Sequence, residues 1–358
     1  MKIALVGPGL MPIPPSGWGA IESLIWKHYQ GLRAMGHTVQ IFNSQDTRAV
    51  IKEINNQDFD FVHVQYDEFA HDFAAHCTKP YCITSHYGYI LKPAQWAKGY
   101  FSIFTDFLAA PGIIALSAEI RELYRTAGYT GPVYILKNGI DTASFNFKEK
   151  GNGKIICLGK IEPRKQQAQL ARLMEEKLDI DFVGPIVDPE FIAEKRCHYL
   201  GVWTKEQVQQ KLTEYSTLVL LSDGEAAPLV VIEALAAGLS VVISRSSAAN
   251  LVPKDFITIL DDDENNPETI IQALHRAVEK NDQYRSAIHT YAVETFDNAA
   301  IMEEYQAIIK KFTESNSPTS KKAFSLYKRN HLWHYYFSRR WLRWSHVQTL
   351  RAIKKRFQ

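Results

Sequence analysis

The sequence has no uninterrupted apolar run near the roughly 20 residues that a membrane-spanning helix needs, so no such helix is expected. Cysteine is scarce: Cys77, Cys82, Cys157 and Cys197 lie at spacings that match no zinc or redox motif. They read as reduced thiols in a cytoplasmic protein, with no disulfide. Low-complexity sequence is lacking too, and 46% hydrophobic with 22% charged residues is a globular composition. The apolar run Ile3–Val6 is too short for a signal-peptide core and suits a first buried strand. Gly7-Pro8-Gly9-Leu10-Met11-Pro12 begins like a dinucleotide fingerprint but lacks its last glycine, and its prolines oppose a helix opening there. A nicotinamide oxidoreductase is therefore disfavoured.

Acidic residues are absent from Lys321 to Gln358, where eleven Lys and Arg stand. Removing those eleven from the total of 41 leaves 30 basic against 39 acidic residues, so the rest carries −9 beneath an overall charge of +2. Such a tail suits either an anionic surface or the acidic body itself.

The 358 residues exceed what one core usually serves, which predicts two domains. Short apolar runs bounded by turn residues alternate with helical patterns: Ile3–Val6, Thr38–Phe42, Phe61–Val64, Tyr81–Thr84, Ile113–Leu116 and Val133–Leu136. The alternation restarts at Ile155–Leu158 and continues through Asp181–Val183, Leu218–Leu221, Val241–Ile243 and Ile257–Leu260. This is the pattern of two parallel sheets. The charged, glycine-rich stretch Phe147–Gly153 reads as the linker between them. The expected fold is α/β, with Rossmann-like domains at 1–147 and 148–312 facing across a cleft. A linker and basic helical tail follow at 313–358.

The stretch Asp223–Gly238 is the most informative. Pro228 suits a helix start and Gly238 a helix end, and the residues between are apolar almost all round. Such a helix should be buried, yet it carries Glu233, which then needs hydrogen-bond donors; a ribose would supply them. The first N–H groups, at Leu229 and Val230, suit a phosphate. From residues alone, a simple ion pair for Glu233 and a helix-terminus role for Glu225 weigh equally.

Glu225 and Glu233, followed by Ala-Leu-Ala-Ala-Gly, resemble the paired-glutamate motif of retaining GT-B glycosyltransferases of family 4. Four further segments are similar to that family in the same order: Gly19-Ala20-Ile21-Glu22, Gly31–Val39, Asn138-Gly139-Ile140-Asp141 and Tyr199-Leu200-Gly201-Val202. The resemblance implies a sugar transferred with retention from a nucleotide-diphosphate donor, by a hexosyltransferase, without metal or other cofactor. Gly159–Gln166 looks like the family's basic diphosphate loop. Cations in a water-poor site stabilise the leaving diphosphate more in the transition state than in the ground state. Lys160 stands where Arg is usual and Gln166 where Gly is usual, so Lys160 keeps the charge without the bidentate fork. His86, at the end of a probable strand, is similar to the family histidine beside the donor sugar; His63 reads as structural.

The resemblance thus implies His86, Glu225, Lys160 and Lys165 as catalytic. It implies Gly19, Ala20, Gly184, Gly201, Leu229, Val230 and Glu233, with both lysines, as donor-binding. Gly184 and Gly201 would act through backbone groups, and Ala20 replaces a second glycine. A front-face route, in which the leaving phosphate helps deprotonate the acceptor, is the family's usual assignment. The acceptor would be a glycan or a lipid-linked sugar. A sugar-nucleotide epimerase of the same fold and an inactive sugar-nucleotide-binding scaffold stay as alternatives.

Trp333, Phe337, Trp341, Trp344 and Val347 share one helix face in the tail, with Lys328, Arg329, Arg339, Arg340, Arg343, Lys354, Lys355 and Arg356 around it. That suits either a cytoplasmic-face membrane surface or packing on the body. Nucleic acid ranks below both, since no RNP or zinc pattern accompanies the arginines.

Overall fold

The computed structural model describes residues 1–91, 101–173, 178–191, 198–261 and 266–315. Cys197, the linker from 316 and the basic tail lie outside the described residues. The chain divides into two compact units, Met1–Leu136 with the segment from Met302, and Lys137–Ile301. The expected boundaries were 147/148 and 312/313.

The first unit is a six-stranded parallel sheet: β1 (Lys2–Gly7), β2 (Thr38–Asn43), β3 (Phe61–Val64), β4 (Tyr81–Ile83), β5 (Gly112–Ala115) and β6 (Val133–Ile135). Their spatial order is β2-β1-β3-β4-β5-β6. Ile3, Ala4, Leu5 and Val6 are wholly buried, as are Phe61 and Val62. Continuous burial of this kind follows from helices covering both faces of a parallel sheet. Those helices are α1 (Ala20–Ala34), α2 (Thr47–Asn55), α3 (Ala70–His76), α4 (Phe101–Phe107) and α5 (Ala118–Thr126). Asp46 caps α2, its side chain accepting the Ala49 N–H at 3.0 Å, and Ser117 caps α5 in the same way.

The second unit repeats the plan with β7 (Ile155–Leu158), β8 (Ile180–Val183), β9 (Thr217–Leu220), β10 (Ser240–Ser244) and β11 (Ile257–Leu260). They are ordered β11-β10-β9-β7-β8, and every pairing is parallel. Its helices are α6 (Gln167–Leu173), α7 (Lys205–Lys211), α8 (Leu229–Ala236) and α9 (Pro267–Phe296). A final helix, α10 (Asn298–Glu314), begins in this unit and continues into the first.

Helix α9 ends at Asp297, which leaves the helical backbone at ψ 135°. There its carboxylate accepts the Ala299 N–H and the Thr142 hydroxyl, while Ile140 bridges to its backbone. The segment read as a linker is tied into the second unit. Lys148 N–H donates to Thr213 Oγ1, Gly151 N–H to Asp282 Oδ1 and Asn152 N–H to the Glu214 carbonyl. Pro228 is the N-cap of α8.

Cys77, Cys82 and Cys157 are free thiols, and burial pushes the Cys157 thiol up to about 12. No described helix is long and apolar enough to cross a membrane.

Candidate active site

In each sheet the third strand runs beside the first, on the side opposite the second, so the chain winds outward in both directions from that pair. Open α/β sheets bind ligands where loops diverge at such a switch point. In the second unit the pair is β7 and β9, and the loops that follow them are residues 159–166 and 221–228.

Those loops meet. Leaving β7, Gly159 adopts φ +145°, and at the end of β8 Gly184 adopts φ +142°. The two are so close that a Cβ on Gly184 would stand 2.0 Å from the Gly159 carbonyl oxygen. Past Gly159, Gln167 braces the turn: its Nε2 donates to the Lys160 carbonyl at 2.9 Å, and its Oε1 accepts the Glu162 N–H at 3.2 Å. Pro163–Lys165 forms a 3-10 turn closed by Gln166 in the left-handed region at φ 55°. That turn folds Lys165 back over Gly159, where its Nζ lies 3.2 Å from the position of a glycine Cβ.

From the other loop comes Glu225. Its Oε1 forms ion pairs with Arg164 Nη1 at 3.0 Å and Lys165 Nζ at 3.4 Å. That oxygen is buried, but neither contact is an aligned hydrogen bond. Lys165 and Glu225 are only 14% and 15% exposed, against 51% for Lys160, so the charges that meet at the switch point are the better shielded ones. Lys160 Nζ lies 3.5 Å from Glu162. Burial pushes the Glu162 carboxyl up, but Arg164, Lys160 and Lys165 outweigh it and hold the group below its ordinary value.

The loop carrying Glu225 is fixed by serines. Ser244 and Ser246 hydroxyls both donate to the Ser222 carbonyl at 2.6 Å, and Glu225 N–H donates to the Ser246 carbonyl. Helix α8 follows. It ends in a Schellman turn, with Gly238 N–H on the Leu235 carbonyl and Leu239 N–H on Ala234. Most of α8 is buried, but Leu229, Val230 and Glu233, spaced on one helical face, are half-buried. Glu233 is thus less enclosed than the apolar sequence around it suggested. Asn138 Nδ2 donates to the Ala227 carbonyl, so it holds the approach to α8. Gly201, at φ +79°, accepts the Gly184 N–H through its carbonyl.

The structure therefore brings Lys165 and Glu225 together, with Lys160 and Gly184 close by. The sequence reading named the segments that hold Arg164, Glu162 and Asn138 but gave these three residues no role. The basic turn signalled Arg164, but its partners Ser222, Gly224 and Glu225 are remote in sequence.

In the first unit, Gly19 caps α1 and Ala20 opens it. Glu22, buried, folds back so that its Oε2 lies 2.9 Å from where a Cβ on Gly19 would stand. His86 follows β4. Its Nε2 is buried without a hydrogen-bond partner among the described residues, and burial lowers its pKa to about 4. His63, by contrast, is satisfied at both nitrogens, by Tyr305 Oη at 2.6 Å and Thr84 Oγ1 at 2.7 Å. His28 lies beside it, ring centroids 6.2 Å apart; burial first, then His86 and Lys27, lower its pKa to about 3.

One group of metal-capable side chains occurs among the described residues: Asp179, Asp181 and His198. Lys154 Nζ lies 3.9 Å from both carboxylates, and Tyr215 donates to Asp181. Internal pairing accounts for that cluster.

The family described as Glycosyltransferase Family 4 matches residues 28–144, and Glycosyl transferases group 1 matches 140–294. The chain is a GT-B glycosyltransferase of this family. Among solved structures, sucrose-phosphate synthase from Thermosynechococcus elongatus is similar at TM-score 0.70 and 15% identity, over 88% of this chain and 100% of that one. HepE from Anabaena, in complex with UDP and glucose, aligns at 0.68 and 15%, over 87% and 100%. The lipopolysaccharide outer core galactosyltransferase WaaB aligns at 0.64 and 16%, over 87% and 100%. At such identity the structural likeness speaks for the fold. No curated protein sequence matches the chain. In this glycosyltransferase, the basic loop, Glu225 and α8 all belong to the group 1 segment.

Proposed function

We propose that this glycosyltransferase moves a sugar from a nucleoside-diphosphate donor to the hydroxyl of a glycan or lipid-linked acceptor, with retention of anomeric configuration. The observation that supports this best is the shielded Lys165–Glu225 pair at the switch point, where the β7 and β9 loops converge. Lys160 and Lys165 take the diphosphate. They stabilise the negative charge that grows on it as the sugar bond breaks. The N–H groups at the start of α8, from Leu229 and Val230, add to that field, and the half-buried Glu233 on the same face accepts ribose hydroxyls. Glu225, whose Oε1 is buried without an aligned hydrogen bond, accepts hydroxyls of the transferred sugar. Gly184 and Gly201 border the nucleoside through their backbones. In the first unit, His86, with Gly19 and Ala20, serves the reacting sugar; its lowered pKa keeps the ring neutral at pH 7.

UDP is the first nucleotide to try, because the HepE structures hold UDP and UDP-glucose. No protein base lies on the nucleophile's side in this reading, and the departing phosphate oxygen takes the acceptor's proton. Positioning then contributes much of the rate.

The test is donor cleavage without acceptor, followed by proton NMR, using UDP-, GDP- and ADP-glucose. Slow release of nucleoside diphosphate, with the glucose first appearing in the donor's anomeric form, is expected. The opposite anomer would refute retention. Conversion of the donor to an epimer without nucleotide release would favour the epimerase alternative, and no turnover in any arm the inactive scaffold.

A further inference from the structure

Arg164 touches more of the site than either lysine beside it. Its Nη1 donates to Ser222 Oγ at 3.0 Å and to the Gly224 carbonyl, and pairs with Glu225 Oε1 at 3.0 Å. Its Nη2 donates to Glu162 Oε1 at 2.7 Å. Its own carbonyl accepts the Asp223 N–H at 2.7 Å, so main chain and side chain both grip the loop after β9. Among the described residues the Lys160 and Lys165 ammonium groups each show a single ion pair, at 3.5 and 3.4 Å.

We propose that Arg164 is a positioning residue: its guanidinium aims the Glu225 carboxylate and takes up Glu162, leaving Lys160 and Lys165 for the donor diphosphate. This rests on the assignment of Glu225 to the transferred sugar. A planar fork suits the task, since it binds several oxygens in fixed directions where an ammonium offers a point charge. The alternative, a third phosphate cation, would require Arg164 to abandon contacts with Ser222, Gly224 and both glutamates. Charge balance agrees. Three cations face two carboxylates here, and with the arginine holding both carboxylates, the two lysines supply the positive field. Without Arg164, Glu162 and Glu225 would compete with the diphosphate for those lysines.

At 39% side-chain exposure Arg164 is partly screened by solvent, so the decisive readout is kinetic and not thermal. Donor cleavage and nucleoside-diphosphate affinity, by calorimetry with UDP, GDP and ADP, would be measured for wild type, R164M, R164K, E225Q and R164M/E225Q. Thermal melts would confirm that each variant folds. R164M should lower kcat about tenfold to a hundredfold while the nucleoside-diphosphate Kd stays within about threefold. R164K should recover only part of kcat, and it carries the comparison if R164M does not fold. On the E225Q background, R164M should cost less than about threefold more, because its effect passes through Glu225. A Kd raised more than about tenfold at unchanged kcat, or losses that multiply fully in the double variant, would overturn the proposal. Unchanged kcat in E225Q would instead refute the role given to Glu225 itself.

Discussion

At the ends of β7 and β8 two glycine backbones pass so closely that no side chain fits on Gly184. Gly184 combines φ +142° with a Cβ position 2.0 Å from the Gly159 carbonyl oxygen, so an added methyl meets main chain that cannot step aside. Gly184→Ala should cost about 2 kcal/mol or more in urea unfolding, because a strained backbone and a steric conflict coincide. An unchanged midpoint would mean that the two loops separate easily. Lys165 and Glu225 were legible in the sequence because their spacing sits in segments that resemble a known family. Arg164 was not, since its partners Ser222, Gly224 and Glu225 are supplied by another loop. Enclosure of Glu233 was overestimated: apolar neighbours along a helix do not reveal which face stays uncovered.

Among the elements, α9 carries a side chain that organises its whole unit. Arg285 is fully buried, makes no ion pair among the described residues, and donates to the carbonyls of Lys148, Tyr215, Thr213 and Ala237 and to Asn281 Oδ1. Burial lowers its pKa, yet the ring of carbonyl dipoles takes the place of a counter-ion. Arg285→Ala would strand several buried carbonyls, each worth about 1–3 kcal/mol, so a loss of at least about 3 kcal/mol is expected in denaturant unfolding. A loss below about 1 kcal/mol would show that water replaces the guanidinium. The strands were readable because buried parallel strands are short apolar runs between turn residues. The tie between Lys148 and Arg285 was not. Glycine and charge near Phe147–Gly153 looked like a linker, and contacts far along the chain, at Thr213, Glu214, Asp282 and Arg285, pin that segment. The break at Asp297 was hidden for the same reason, since Thr142 and Ile140 enforce it.

For the molecule as a whole, acid sensitivity should arise in the first unit. His28 and His63 are buried with pKa values lowered from 6.5, to about 3 for His28 and well below its ordinary value for His63. The unfolded chain therefore binds more protons than the native one below pH 6.5. Their neutral burial favours the fold above that pH and is lost progressively as pH falls toward 3. From pH 6.5 to 5 the loss is about 2 kcal/mol for a histidine of this kind. The Tm at pH 5 should fall below that at pH 7, and His28→Gln should flatten the slope. An unchanged slope in that variant would exclude His28 as the source. The two-sheet plan was visible in the sequence, whereas strand order was not, because which strands pair depends on crossovers that local patterns do not encode. Nor did helical periodicity reveal that the segment from Met302 rejoins the first unit.

Calorimetric titration of UDP, GDP, ADP and free uridine into wild type and Lys165→Ala tests the central claim, that the β7 loop grips a diphosphate. At least one nucleoside diphosphate should bind wild type, and Lys165→Ala should weaken it at least about tenfold, or 1.4 kcal/mol, leaving uridine unaffected. Equal diphosphate affinity in the two proteins would contradict the account.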